Sequence, residues 1–209
     1  MSNQEQQSAA RIERPYRRIA IHEAGHSLAY WWNGQFIHQV AARTKSEIRT
    51  GPIIDRRGQS SNAAGCVDAT NFIPGPGAML MCGMQLPPER RDEVERDLLH
   101  AYSGPVAEAI YCHTRLEVVL YGGAYGDLLK ARELLELLPL PHENRIEINN
   151  QAIRRCRFLV RHYGLAICKV ADLLQSRGTV DGEELEDLLI STTGESPQCC
   201  GNSLTDLDK

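Results

Sequence analysis

The spacing of apolar positions divides the chain into a mixed front part and a back part with helical periodicity. Between residues 89 and 111, Val94, Leu98, Leu99, Tyr102, Val106 and Ile110 recur at steps of three or four residues, apart from the adjacent pair Leu98-Leu99, close to the spacing of one helix face. Gly104-Pro105 is expected to split or kink that helix. Leu128, Leu129, Ala131, Leu134, Leu135 and Leu138 mark another helix, opening at Asp127 and stopped by Pro139 and Pro141. Residues 146–174 read as one long helix bent at Gly164. Residues 179–189 read as a closing element in which Asp181 caps a helix. In the front part, Pro15 suits a first helical turn. The proline-free run 16–32 then predicts a helix that ends at Asn33-Gly34. Residues 36–42 and 64–70 read as short strands. Residues 50–62, rich in Gly, Pro, Arg and Ser, read as an exposed loop, and 72–84 as an irregular, partly buried insertion. The predicted class is mainly α with a small β-sheet.

A length of 209 residues fits one domain. It is expected to span 15–190, between a flexible N-terminus (1–14) and a disordered tail (191–209) rich in Ser, Thr, Gly and Asp. A net charge of −4 without a basic block argues against nucleic acid as a partner. The polar first residues are unlike a signal peptide, and no apolar run approaches the roughly 18 residues of a membrane span. A cytoplasmic location without membrane insertion is the resulting expectation. Seven cysteines, scattered and without CxxC spacing, fit reduced thiols better than a structural zinc knuckle.

Chemistry concentrates in His22-Glu23-Ala24-Gly25-His26. On a helix, residues four apart share a face, so His22 and His26 can offer two imidazole nitrogens to one ion. Glu23, about 100° further round, can take a proton from water beside that ion, the arrangement of a zinc hydrolase. Gly25 costs roughly 1 kcal/mol inside a helix, which makes sense if something approaches the backbone closely there. A catalytic zinc needs a third protein ligand and an open position. Asp68, His100, Glu108, His113 and Asp127 are the candidates. Glu108 projects from a helix. Asp127 follows the flexible turn Gly122-Gly123-Ala124-Tyr125-Gly126, where it would otherwise serve as a plain helix cap.

Residues 21–28 (Ile-His-Glu-Ala-Gly-His-Ser-Leu) resemble the HEAGH helix of the peptidase domain of the FtsH family of AAA zinc proteases. Met84-Gln85-Leu86-Pro87 resembles the segment that precedes the next helix in that family. Ser103-Gly104-Pro105-Val106-Ala107-Glu108 resembles its GGRxAEE stretch. Gly123-Ala124-Tyr125-Gly126-Asp127-Leu128 resembles its GASNDL stretch, and residues 178–185 resemble its closing helix. The resemblance implies a zincin-like HExxH helix followed by a C-terminal helical bundle. It also implies one Zn2+ per chain held by His22, His26 and Asp127, with Glu23 as general base. Glu108 is then read as a residue behind the ligands. Ala64, Gly65, Cys66 and Val67, on the edge of the small sheet, are expected to hold an extended peptide by backbone pairing.

The sequence departs from the family in having no GxxxxGK[ST] phosphate loop, and in Gly126 and Pro105 replacing an asparagine and an arginine. The expected substrates are accordingly peptides or unfolded protein segments, with a separate ATPase or a homo-oligomer as further partners. The competing expectation is a zinc-binding interaction module that no longer cleaves.

Overall fold

The computed structural model describes residues 13–54, 60–61, 63–196 and 201–208. In chain order the elements are α1 (Arg17–Trp32), β1 (Ile37–Ala42), α2 (Lys45–Thr50), β2 (Ile53–Ile54), β3 (Ser60–Ser61), β4 (Gly65–Ala69), α3 (Pro76–Met81), α4 (Arg91–Tyr111), α5 (Leu116–Leu120), α6 (Tyr125–Glu136), α7 (His142–His162), α8 (Gly164–Arg177), β5 (Thr179–Asp181) and α9 (Gly182–Thr193). The expected class, mainly helical with a small sheet, describes this architecture.

Helix α1 lies at the centre, and every residue from Glu23 to Trp32 is buried. It packs on α4, α8 and both β1 and β4, so apolar residues occur all round it rather than along one stripe. The helix stops where the sequence predicted. Gly34 takes φ +67°, and the amides of Gly34 and Gln35 bond back to the carbonyls of Trp31 and Tyr30, both at 2.9 Å. These bonds satisfy the last-turn acceptors, and the left-handed residue is one that glycine adopts without strain.

The three-stranded sheet has the order β4-β1-β5 and is antiparallel throughout, with Val40 facing Val67 on one side and Val180 on the other. Strand β4 is thus an edge strand. Strand β5 falls inside the segment expected to be only a cap and a helix. Asp181 does cap α9, accepting from the Glu183 amide at 3.0 Å, but three residues of β-structure come first.

Several expectations are corrected. Helix α4 runs unbroken through Pro105, because burial from Val94 to Ala109 outweighs the roughly 3 kcal/mol local penalty of an internal proline. Residues 146–174 form two helices that part at Tyr163, which lets α7 lie on α4 while α8 turns its Ala166, Ile167, Val170 and Leu174 face onto α1. Within 50–62, β2 and β3 pair as a short antiparallel ladder. The insertion at 72–84 contains α3. There Ile73 is buried but Met81 is 91% exposed. Helices α2 and α5 were not foreseen; α2 opens on a reciprocal capping box between Thr44 and Glu47.

The expected disordered tail does not hold over 201–208. Leu204 and Leu207 are buried, and Asp208 takes both forks of the Arg155 guanidinium at 2.6 and 2.7 Å. Charge-assisted bidentate pairing of this kind fixes a segment well. The flexible N-terminus falls mostly, and Cys199 and Cys200 entirely, outside the described residues. Among the described residues no helix is long and apolar enough to cross a membrane.

Candidate metal centre

Arg18, His22, His26 and Tyr30 follow one another at four-residue steps along α1 and line a single cleft of about 440 Å³. Its opposite walls are β4 and the first turns of α6. Each histidine is aimed from behind. The His26 Nδ1–H donates to the His100 carbonyl at 2.6 Å, which turns Nε2 into the cleft. His22 Nδ1 lies 2.9 Å from Glu108 Oε2, which does the same for the second ring. Partners of this kind fix the tautomer and orientation of a ligating imidazole.

Asp127 completes the group. It is not the helix cap: α6 begins at Tyr125 with Ala124 as its N-cap, so Asp127 sits within the first turn. Its carboxylate lies 3.2 Å from His22 Nε2 and 3.5 Å from His26 Nε2. The two Nε2 atoms are 3.0 Å apart, and one donor atom from each of the three residues falls within 4.8 Å of the others.

These spacings fit a small cation. Ligands about 2.0–2.1 Å from a tetrahedral zinc stand roughly 3.3 Å from one another. Two imidazole nitrogens and a carboxylate oxygen are also the donor types that zinc accepts. The electrostatics point the same way. Burial works against a charged His22, yet hydrogen bonds to Asp127 and Glu108 win and push it up to about 10. Burial also opposes ionisation of Asp127, but His26 and His22 hold it below the usual carboxylate range. The carboxylates around the two imidazoles thus favour positive charge at this point of the cleft.

Glu23 stands beside this group rather than in it. Its side chain is buried, and burial raises its carboxyl above the usual range, against the pull of His22 and His26. The carboxylate packs directly on β4, where a Cβ at residue 65 would lie 2.6 Å from Oε1. Glycine at 65 therefore makes room for Glu23. The close approach anticipated at Gly25 is the backbone of α4: a Cβ there would meet the Ser103 carbonyl oxygen at 2.5 Å.

Ala64, Gly65, Cys66 and Val67 all line the cleft; the last three lie in the edge strand β4, and Ala64 is the residue just before it rather than part of the strand. Asp68 pairs with Gln39 in the sheet and does not line it. His113 is an exposed residue just past α4 with φ +50°. His100 lies against the cleft but is committed elsewhere. Its Nε2 is 2.9 Å from Asn33 Nδ2, Nδ1 is 2.9 Å from Asp97, and burial presses the ring down to about 4. It contributes its carbonyl to His26 and remains neutral.

Tyr30 and Lys130 went unnoticed in the sequence, although Tyr30 lies four residues beyond His26 and Lys130 three beyond Asp127. Helical spacing from the expected ligands His26 and Asp127 was the signal that could have found them. No family model matches the chain and no curated protein is significantly similar to it.

Proposed function

We propose that this chain is a zinc-dependent peptidase that cleaves peptides or unfolded segments with Glu23 as general base. The observation that carries the reading is the convergence of His22 Nε2, His26 Nε2 and the Asp127 carboxylate at zinc-ligand spacing on the floor of a cleft edged by β4. Zn2+, one per chain, supplies Lewis acidity there when bound and lowers the pKa of a water. The resemblance to the FtsH peptidase domain in these same residues supports the reading. So does an edge strand alongside, which suits an extended substrate. A cytoplasmic site of action belongs to the same proposal.

In this mechanism the chain's own groups divide the work. Glu23 accepts a proton from the attacking water and returns it to the leaving amine. Its buried position favours proton uptake, because burial disfavours the charged carboxylate. Glu108 and the His100 carbonyl hold the two imidazoles in register. The backbone of β4 aligns the peptide so that its carbonyl faces the centre.

The test is digestion of a mixed peptide library by zinc-loaded chain, with and without chelator and with Glu23→Gln. Cleavage lost on chelation and reduced at least 1,000-fold by Glu23→Gln is the expected result. Zinc bound at one per chain with no cleavage of any peptide would favour the silent interaction module instead. Undiminished cleavage by Glu23→Gln would exclude this mechanism.

A further inference from the structure

Resting on the peptidase reading, we infer that Lys130, with Tyr30 and Asn71, forms a subsite for a substrate carboxylate about two or three residues from the scissile bond. Lys130 stands one turn beyond Asp127 on α6 and lines the same cleft as the metal centre. Its ammonium donates to Asn71 Oδ1 at 2.7 Å and to the Tyr30 hydroxyl at 3.3 Å. The Tyr30 hydroxyl in turn donates to Asn71 Oδ1 at 2.8 Å.

Both partners are neutral. Among the described residues, no carboxylate lies within ion-pair distance of this part-buried ammonium. Burial works against its charge, while the Tyr30 hydroxyl beside it and the more distant carboxylates of Asp97 and Asp127 favour it. A lysine carries three donors, and two of them have partners among the described residues. A buried charge is normally paired, so an ammonium on a cleft-lining residue, with only neutral groups at hydrogen-bond distance, has an unmet need that an anion in the cleft would fill. Arg18, at the other end of the same helical stripe, is a poorer candidate. Its side chain is 63% exposed and already lies 3.5 Å from Glu108.

The distance follows from helix geometry. Tyr30 lies six residues beyond the midpoint of His22 and His26, which is about 9 Å at 1.5 Å per residue. An extended peptide along β4 advances roughly 3.3 Å per residue. The carboxylate is therefore that of an Asp or Glu side chain near the cleavage point, or the free C-terminus of a short peptide.

The experiment uses zinc-loaded chain and fluorogenic peptides carrying Glu or Gln at each of three positions on either side of the cleaved bond. A second pair ends in a free acid or an amide at matching distances. Wild type is expected to prefer the carboxylate at least tenfold in kcat/KM at one position. The responding pair identifies side chain or C-terminus as the source. Lys130→Met is expected to bring that preference within twofold, and Lys130→Arg to retain most of it. Should Lys130→Met fail to fold, the wild-type Glu-against-Gln comparison alone decides, since equal rates at every position overturn the subsite.

Binding of the same peptides to Glu23→Gln, read by fluorescence anisotropy, separates the two proposals. Equal affinity for acid and neutral members overturns the subsite and leaves peptide hydrolysis standing. Lysine-dependent binding of acidic members without cleavage by wild type supports the subsite and overturns hydrolysis. No binding at all overturns both.

Discussion

Gly104 and His26 occupy adjoining space so tightly that any side chain on residue 104 would overlap the His26 imidazole at Nε2, the nitrogen that faces the centre. The glycine on α4 is therefore a condition for the position of the His26 ring on α1. Gly104→Ala is expected to push His26 off its bond to the His100 carbonyl and weaken zinc binding about 10- to 100-fold, the usual range for disturbing a ligand's support. Competition with a chromophoric chelator measures this.

Gly25→Ala should behave differently. The clash there is with backbone, the Ser103 oxygen at 2.5 Å, and backbone cannot rotate away. The helices must separate, so we expect a loss of about 1–3 kcal/mol in unfolding free energy, seen in denaturant melts of the metal-free protein. A neutral Gly25→Ala would mean that the α1–α4 contact is looser than described.

Glu108 holds His22 from behind at 2.9 Å. Glu108→Gln keeps the shape but removes the charge that makes the ring a better donor. Zinc affinity is expected to fall by about tenfold or more, and the metal-free fold to lose part of the stability that the pairing with protonated His22 supplies at neutral pH. If Glu108 were itself a ligand, the loss would approach that of Asp127→Ala.

Zinc uptake should compete with a proton. A ligating imidazole must be neutral, and His22 in the metal-free chain stays protonated up to about pH 10. Below that value, each unit of acidification leaves about tenfold less neutral ring. Apparent zinc affinity is therefore expected to rise from pH 6 to pH 9, with proton release on binding, both measurable by calorimetry in buffers of different ionisation enthalpy. The metal-free fold carries the opposite dependence. The His22 pKa lies above its unfolded value of 6.5, so its stabilisation is complete below pH 6.5 and is lost as pH rises through about 10.

Much of this centre was legible because its information is local. His22, Glu23 and His26 lie within one helical turn, and a turn of helix fixes their relative directions without reference to the rest of the chain. Asp127 was reachable through its glycine-rich approach and the family resemblance, but its place inside the first turn of α6 was not. Gly65 shows what periodicity hides. It read as a strand residue, whereas its lack of a side chain admits Glu23, a fact that depends on how β4 lies on α1. Pro105 shows the reverse, since of the split or kink that a local rule predicted, burial on several sides overrides the split. Residues 201–208 look like a tail in composition, and only the Arg155–Asp208 pairing and the burial of Leu204 and Leu207 tie them to the core.

The central claim is that one divalent ion is held by two imidazoles and the Asp127 carboxylate. X-ray absorption of the zinc-loaded chain tests it most directly. The account predicts one zinc per chain with a first shell of nitrogen and oxygen at about 2.0–2.1 Å, two imidazole signatures, and loss of the bound metal in Asp127→Ala. Sulfur in the shell, or an unchanged spectrum and stoichiometry in Asp127→Ala, would contradict it.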